Sequence, residues 1–316
     1  MTARTPRATA PTAPTPLSRR GVLRAGAAGG LAALLGGATL LTGCGDGEIV
    51  SALAPSRFVS FGDGLSDLGQ GGTRYTINDS TVNTWADRLA SRYGKTLTAQ
   101  AAGGLGYAQG HAPTGALPRT LAAQIDVFLA SQTLTANDVV LINLPMADVL
   151  SALAAVKAST LTETAALAQV DAVGRAHVVQ VKRLLAAGAK YVLVLGMYHL
   201  GTSPFAIAQG QVALATSLSQ KLNDAFKTDA VNLGANLLFV DTAFLVNRNV
   251  LTGSVYGFTN FNTAICTTAD ASTCSSSTLL SGATAAQYVF ADGIHLTPTC
   301  NQQLGDYAYT QLANRW

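Results

Sequence analysis

Charge is what this 316-residue sequence has least of. Asp, Glu, Lys and Arg make up 12% of it, about half the share of an ordinary soluble domain. That leaves no run of like charge to form a polyanion-binding face or an acidic tail. With 48% hydrophobic residues and 31 Gly, the chain is too apolar for a disordered protein and long enough to bury a full core. Acidic residues are missing from the first 43 positions, which hold Arg4, Arg7, Arg19, Arg20 and Arg24. Setting these five aside leaves 15 basic against 17 acidic residues, a net of −2 in place of the formal +3. The basic character therefore belongs to the leader, and no nucleic-acid partner is expected. Cysteine is scarce too: besides Cys44 there are Cys266, Cys274 and Cys300, none with a His at metal-ligand spacing, so no metal is expected. Gly103-Gly104-Leu105-Gly106 lacks both the P-loop Lys and the dinucleotide fingerprint, which argues against phosphate binding. No internal repeat is present.

The N-terminus reads as an address. Ser18-Arg19-Arg20-Gly21-Val22-Leu23-Arg24 resembles a twin-arginine export signal, with Val22 where that signal usually has Phe. Ala25 to Leu41 is a weakly apolar run broken by Gly26, Gly29, Gly30, Gly36 and Gly37, which suits an export segment better than a permanent span. It ends in Leu41-Thr42-Gly43-Cys44, which resembles a bacterial lipobox. The expected organisation is a lipoprotein signal peptide over 1–43, a lipid-anchored tether over 44–56 beginning at acylated Cys44, and one domain over 57–316. Such a protein is exported and held at a membrane of the bacterial cell envelope, facing the periplasm or the cell surface. The competing reading is an ordinary export signal or an uncleaved anchor with Cys44 as a bystander. In an exported protein Cys266 and Cys274, which bracket a Thr/Ala/Ser-rich loop, are expected to pair as a disulfide. Cys300 reads as a buried thiol.

From Arg57 onward, strand-like and helical segments alternate. Strands are expected at 57–61, 96–101, 138–144, 191–195 and 237–241. Helices are expected at 81–93, 121–130, 162–187, 206–230 and 299–313. The apolar runs at 138–144 and 191–195 are those of strands buried on both faces. The alternation calls for an α/β domain, a parallel sheet with helices on both faces, in which ligands bind beyond the C-terminal strand ends.

At those ends stand Phe61-Gly62-Asp63-Gly64-Leu65-Ser66-Asp67-Leu68-Gly69, Ala101-Ala102-Gly103-Gly104, Val139 to Asp148 and Asp292-Gly293-Ile294-His295. In this order the blocks resemble the SGNH or GDSL hydrolases. Tyr256 to Asn260 with Cys266, and Leu200 to Pro204, also look like family segments. The resemblance implies a three-layer α/β/α, flavodoxin-like fold and a serine esterase or lipase acting on small-molecule or lipid esters without a cofactor. In that family the Ser of the first block attacks the acyl carbonyl and the His of the last takes its proton. The Asp three residues earlier orients that His. The oxyanion is held by the nucleophile's own N–H, a Gly of the second block and an Asn of the third. An alcohol is a weak nucleophile until a base accepts its proton, and the oxyanion needs preorganised donors.

Asp292, His295 and Gly104 match that pattern, and two positions depart from it. The nucleophile position is Gly64, and the expected Gly-x-Asn-Asp is Pro145-Met146-Ala147-Asp148, with Ala147 in place of the oxyanion Asn. Losing a serine nucleophile costs on the order of 10⁶ in kcat, and losing one oxyanion donor about 10² to 10³. An acyl-enzyme through Gly64 is chemically excluded. Three alternatives follow: Ser66 as a displaced nucleophile, against its reading as a turn or helix-start hydroxyl; a water activated by His295 with Asp292 behind it; or an inactive site kept to bind a lipid or saccharide or to assist a partner protein. Asp63 and Asp67 read as stabilisers of the strand-to-helix turn. His111 reads as a loop residue and His177 as structural, while His199 lies on the ligand side of its strand.

Overall fold

A computed structural model describes residues 50–79, 84–110 and 120–316. The expected leader over 1–43, the expected lipidation residue Cys44, and His111 lie outside the described residues. Four strands pair in parallel in the order β1 (Arg57–Phe61), β2 (Asp138–Asn143), β3 (Tyr191–Leu195) and β4 (Leu237–Val240). Every residue of β2 is buried, as are the last four of β3, because helices cover both faces of the sheet. In one layer α2 (Leu121–Ser131), α3 (Met146–Lys157), α4 (Glu163–Ala186) and α6 (Val212–Ala230) pack together. In the other α1 (Trp85–Arg92) packs on α8 (Pro298–Arg315), with α7 (Thr242–Leu251) beside it. The result is the three-layer α/β/α arrangement. Thr84, Thr120, Thr162 and Thr297 each cap a helix by accepting a backbone N–H. Among the described residues no helix is long and apolar enough to cross a membrane.

The structure departs from the expected secondary structure in four places. The strand expected over 96–101 does not form. Its backbone goes into a tight turn in which the N–H of Gly104 donates to Ala99 O and that of Gly106 to Thr98 O, leaving single bridges from Gly106 to Ser60 and Ala99. The helix expected over 206–230 is two, α5 (Pro204–Ala208) and α6, broken at Gly210 with φ +67°, a conformation that favours Gly. Helices α3 and α7, and the small parallel pair β5 (Asn260–Ala264) and β6 (Tyr288–Phe290), were not anticipated. The described part of the expected tether lies against the domain: Ser51 N–H donates to Tyr309 Oη (3.3 Å), Ser56 N–H to Asn137 O (2.9 Å), and Leu53 packs on the core.

Cys266 and Cys274 are joined as a disulfide, and Cys300 is a free buried thiol whose burial pushes its pKa up to about 12. At the start of β2 the buried Asp138 pairs with Arg57 of β1 through two bonds of 3.0 Å, and also accepts the N–H (2.7 Å) and hydroxyl (2.8 Å) of Thr135. Burial would raise the Asp138 pKa, but Arg57 and Thr135 together hold it below the usual carboxylate value. Charge-assisted hydrogen bonds of this kind contribute about 1.5–3 kcal/mol each against full loss. Asp138→Asn keeps the volume and removes the charge. It is expected to lower the free energy of unfolding by about 2–3 kcal/mol, read as a fall in the urea midpoint at unchanged slope.

Candidate active site

The site is built where β1, β2 and β6 end. After β1 the backbone passes through Gly62 at φ +139°, where a Cβ would stand 1.9 Å from Asn143 Oδ1. Gln124 of α2 grips this glycine from both sides, accepting its N–H (2.8 Å) and donating to its carbonyl (2.7 Å). The next residue, Asp63, ties three elements together. Its N–H donates to Asn143 Oδ1 (3.2 Å), its Oδ1 accepts from Asn143 Nδ2 (2.7 Å) and Leu65 N–H (3.2 Å), and its Oδ2 accepts from Met146 N–H (2.6 Å). Pro145 precedes α3 and has no side-chain acceptor to cap it, so Asp63 supplies the acceptor from the turn after β1, where the helix dipole favours an anion.

Beyond β6 stand Asp292 and His295. Asp292 Oδ2 lies 2.8 Å from His295 Nδ1 and also accepts Ala271 N–H (2.8 Å), while Oδ1 accepts the N–H groups of Ile294 (2.8 Å) and His295 (2.7 Å). Burial alone would raise the Asp292 pKa. The imidazole and these donors outweigh it and hold the carboxylate at about 2. Burial likewise opposes the imidazolium, yet Asp292 keeps His295 above its ordinary value. With Asp292 as acceptor, Nδ1 carries the proton and Nε2 faces away from it.

Nε2 faces Gly64. A Cβ built on Gly64 would lie 2.8 Å from Nε2 and 3.2 Å from Cγ of Tyr75. The Tyr75 ring stands with its centroid 5.0 Å from that of His295, and its Cε2 is 1.9 Å from where a Cβ of Gly110 would be. The ring is thus wedged among Gly64, Gly110 and His295, and occupies space that side chains at those glycines would need. Among the described residues no side chain hydrogen-bonds to Nε2. Ser66 makes no hydrogen bond to His295: it is buried and its hydroxyl accepts the Trp85 indole N–H at 2.9 Å.

The two remaining positions assigned by resemblance lie apart in kind. Ala147 sits in the first turn of α3, next to the Met146 N–H that Asp63 binds, so it belongs to the same cluster. Gly104 has its N–H committed to Ala99 O at 3.0 Å, and a Cβ there would lie 2.0 Å from Thr98 Oγ1. Its glycine is required by the turn, and its donor is engaged there. Asp67 accepts the N–H groups of Gly69, Gln70 and Gly110 (2.8, 2.9 and 2.7 Å), closing the loop beneath Tyr75; burial nevertheless raises its pKa. His177 is a helix residue bonded to Val173 O (2.9 Å), and His199 is bonded to Asn247 (2.7 Å); burial lowers the pKa of both. Among the described residues no group of His, Cys, Asp or Glu could hold a metal ion. Asn143, Gln124 and Tyr75 were not singled out from the sequence. A polar residue ending the apolar run of β2 was the only available sign of the first.

A family model described as GDSL-like Lipase/Acylhydrolase matches residues 58–308. Similar solved structures include a G-D-S-L family lipolytic protein of Veillonella parvula DSM 2008, at 11% identity and TM-score 0.46, covering 82% of this chain and 99% of that one. Phospholipase A1 of Streptomyces albidoflavus NA297 is 15% identical with TM-score 0.41, over 83% and 100% of the two chains. An extracellular lipase of Streptomyces rimosus is 18% identical with TM-score 0.40, over 82% and 99%. No curated protein matches the chain.

The Asp292–His295 pair makes stability pH-dependent in a defined window. His295, raised above 6.5, stabilises fully below that value and loses its contribution as pH climbs through its folded pKa. Asp292, lowered from 3.8 to about 2, stabilises fully above 3.8 and loses its share as pH falls toward 2. The difference in unfolding free energy between wild type and His295→Gln is therefore expected to be largest between pH 4 and about 6.5 and to shrink above it. Denaturant unfolding at a series of pH values reads this directly, and a difference that grows above pH 7 would contradict it.

Proposed function

Because the chain belongs to the GDSL-like lipase/acylhydrolase family, we propose that it is an exported, Cys44-anchored member of that family whose cleft binds an ester or a related ligand without forming an acyl-enzyme. The observation that carries this reading is the filled space at Gly64. His295 Nε2 lies 2.8 Å from where a Cβ would stand, so the place of the missing nucleophile is taken by the base itself and by Tyr75. A family enzyme relies on Ser, His and oxyanion donors acting as one unit. Here the His and Asp keep their geometry, the hydroxyl is absent at Gly64, and Ala147 brings no amide.

The retained dyad suits binding. An imidazole raised above its ordinary pKa by Asp292 stays doubly protonated over more of the acidic range, and in that form its Nε2–H can donate to a ligand oxygen. Direct hydrolysis through a His295-activated water is the outcome that would replace this reading. The anchor rests on the Leu41 to Cys44 lipobox and the twin-arginine run, and it would place the cleft at the surface of a membrane, within reach of lipid esters and envelope glycans.

Two tests follow. Wild type is expected neither to react with a fluorophosphonate nor to turn over a short-chain p-nitrophenyl ester above the His295→Ala background. Gly64→Ser must push aside His295 or Tyr75 and is expected to gain only weak, His295-dependent labelling, while Gly64→Ser with Ala147→Asn should exceed it about 10²-fold or more in turnover. Clear wild-type turnover abolished by His295→Ala would refute the binding role. For the anchor, Cys44→Ser is expected to move the protein from the membrane fraction to the soluble one, with loss of incorporated labelled palmitate.

A further inference from the structure

The outer face of α7 is apolar and exposed. On this helix Ala243, Leu245, Val246 and Asn249 are buried, while Phe244, Arg248 and Leu251 recur at the spacing of one helical face. Phe244 is 59% exposed and Leu251 78%; Val255, in the 3₁₀ turn that follows (Gly253–Tyr256), is 77% exposed. Single exposed apolar side chains are ordinary on a protein surface, but these adjoin one another. The Phe244 ring lies 5.9 Å from that of Tyr307 on α8, and the Arg248 guanidinium stands 3.8 Å over the ring of Tyr256.

The charge around this face has one sign. No Asp or Glu occurs between Asp241 and Asp270, and Asp241 is engaged at the start of α7, accepting Phe244 N–H at 3.1 Å. In the same layer α1 and α8 add Arg88, Arg92 and Arg315 against Asp306 and the buried Asp87. The layer is therefore net positive, although the chain after the leader is net negative. Apolar and aromatic side chains set among arginines are what an interfacial helix presents to a bilayer, the apolar groups entering the headgroup region and the cations meeting lipid phosphates. A second copy of the chain fits less well, because a two-fold pairing of this face would bring the cations of both copies together with no acid from α7 opposite them.

The root of the expected tether lies in the same layer. Ser51 N–H is bonded to Tyr309 of α8, two positions from the Tyr307 beside Phe244. Val50 follows Cys44 by six positions, a span of about 20 Å at full extension. An acyl group on Cys44 would hold the point where the chain joins α8 within that distance of the bilayer.

We propose that the outer face of α7 and its following turn is a membrane-docking surface, laid on the bilayer that carries the Cys44 anchor. Phe244, Leu251 and Val255 enter the headgroup region, and Arg248 meets lipid phosphates. The proposal rests on the anchor reading and adds an orientation to it: the α1, α7 and α8 layer faces the bilayer, and the α2, α3, α4 and α6 layer faces away.

The experiment uses the full chain purified from membranes and reconstituted into vesicles of equal parts phosphatidylcholine and phosphatidylglycerol. One variant carries Leu251→Trp and another carries Val179→Trp on α4 of the opposite layer, where Val179 is 54% exposed. Quenching by lipids brominated along the acyl chain is measured for each against wild type, whose Trp85 and Trp316 set the baseline. Quenching at position 251 is expected to exceed that at 179 about threefold or more, and Phe244→Ser with Val255→Ser is expected to reduce it. Both reporter positions are on the surface, and far-UV circular dichroism checks that the variants fold. A chain that floats with the vesicles but shows no excess quenching at 251 overturns the docking face and leaves the anchor intact. A chain that fails to float overturns both. A dimer in detergent whose Leu251→Trp is shielded, yet unquenched in vesicles, assigns the face to a second copy and overturns the lipid assignment.

Discussion

One carboxylate holds the working end of the sheet together. Asp63 meets the side chain of Asn143 at the end of β2, the first N–H of α3, and the N–H of Leu65 in its own turn. Parallel strands pair along their length through the backbone, but nothing in that pairing fixes how the chain leaves each strand. Asp63 does so for β1, β2 and α3 at once, and a half-buried carboxylate accepting three hydrogen bonds is costly to disturb. Everything that matters chemically hangs from this frame: Gly64 follows directly, Ala147 sits one residue past the capped N–H, and Nε2 of His295 meets the turn from the other side.

The frame was partly legible in the sequence. The runs at 57–61, 138–144 and 191–195 are continuous and apolar, and buried parallel strands have no other solution, so their placement followed from composition. Asp292 and His295 were found through their three-residue spacing at the end of a recognisable block. What escaped were features decided by neighbours distant in sequence. The run 96–101 carries a strand-like pattern, but Gly104 and Gly106 turn its backbone back on itself. Helix α3 starts after a proline with no local cap, so its N-terminal partner lies more than 80 residues earlier. Tyr75 sits in a loop of Gly, Thr and Arg with no periodicity to mark it, and its importance comes only from three contacts made by folding.

The two glycines around Tyr75 explain one another. Gly110 is empty because the ring passes within bonding distance of where its Cβ would be, and Gly64 lies buried under the same ring and the imidazole. Close packing leaves little slack for such a group. Gly64 is therefore one part of a packed arrangement that includes Tyr75, Gly110 and His295.

The disulfide gives this arrangement a condition. Ala271, whose N–H binds Asp292, lies inside the ring closed by Cys266 and Cys274, so the carboxylate that orients His295 is steadied by a loop whose freedom depends on a covalent bond. In a reducing compartment that ring opens and Ala271 belongs to a longer, looser segment; in an oxidising one it is closed. The order of the site is thereby linked to the redox state of this one pair of thiols.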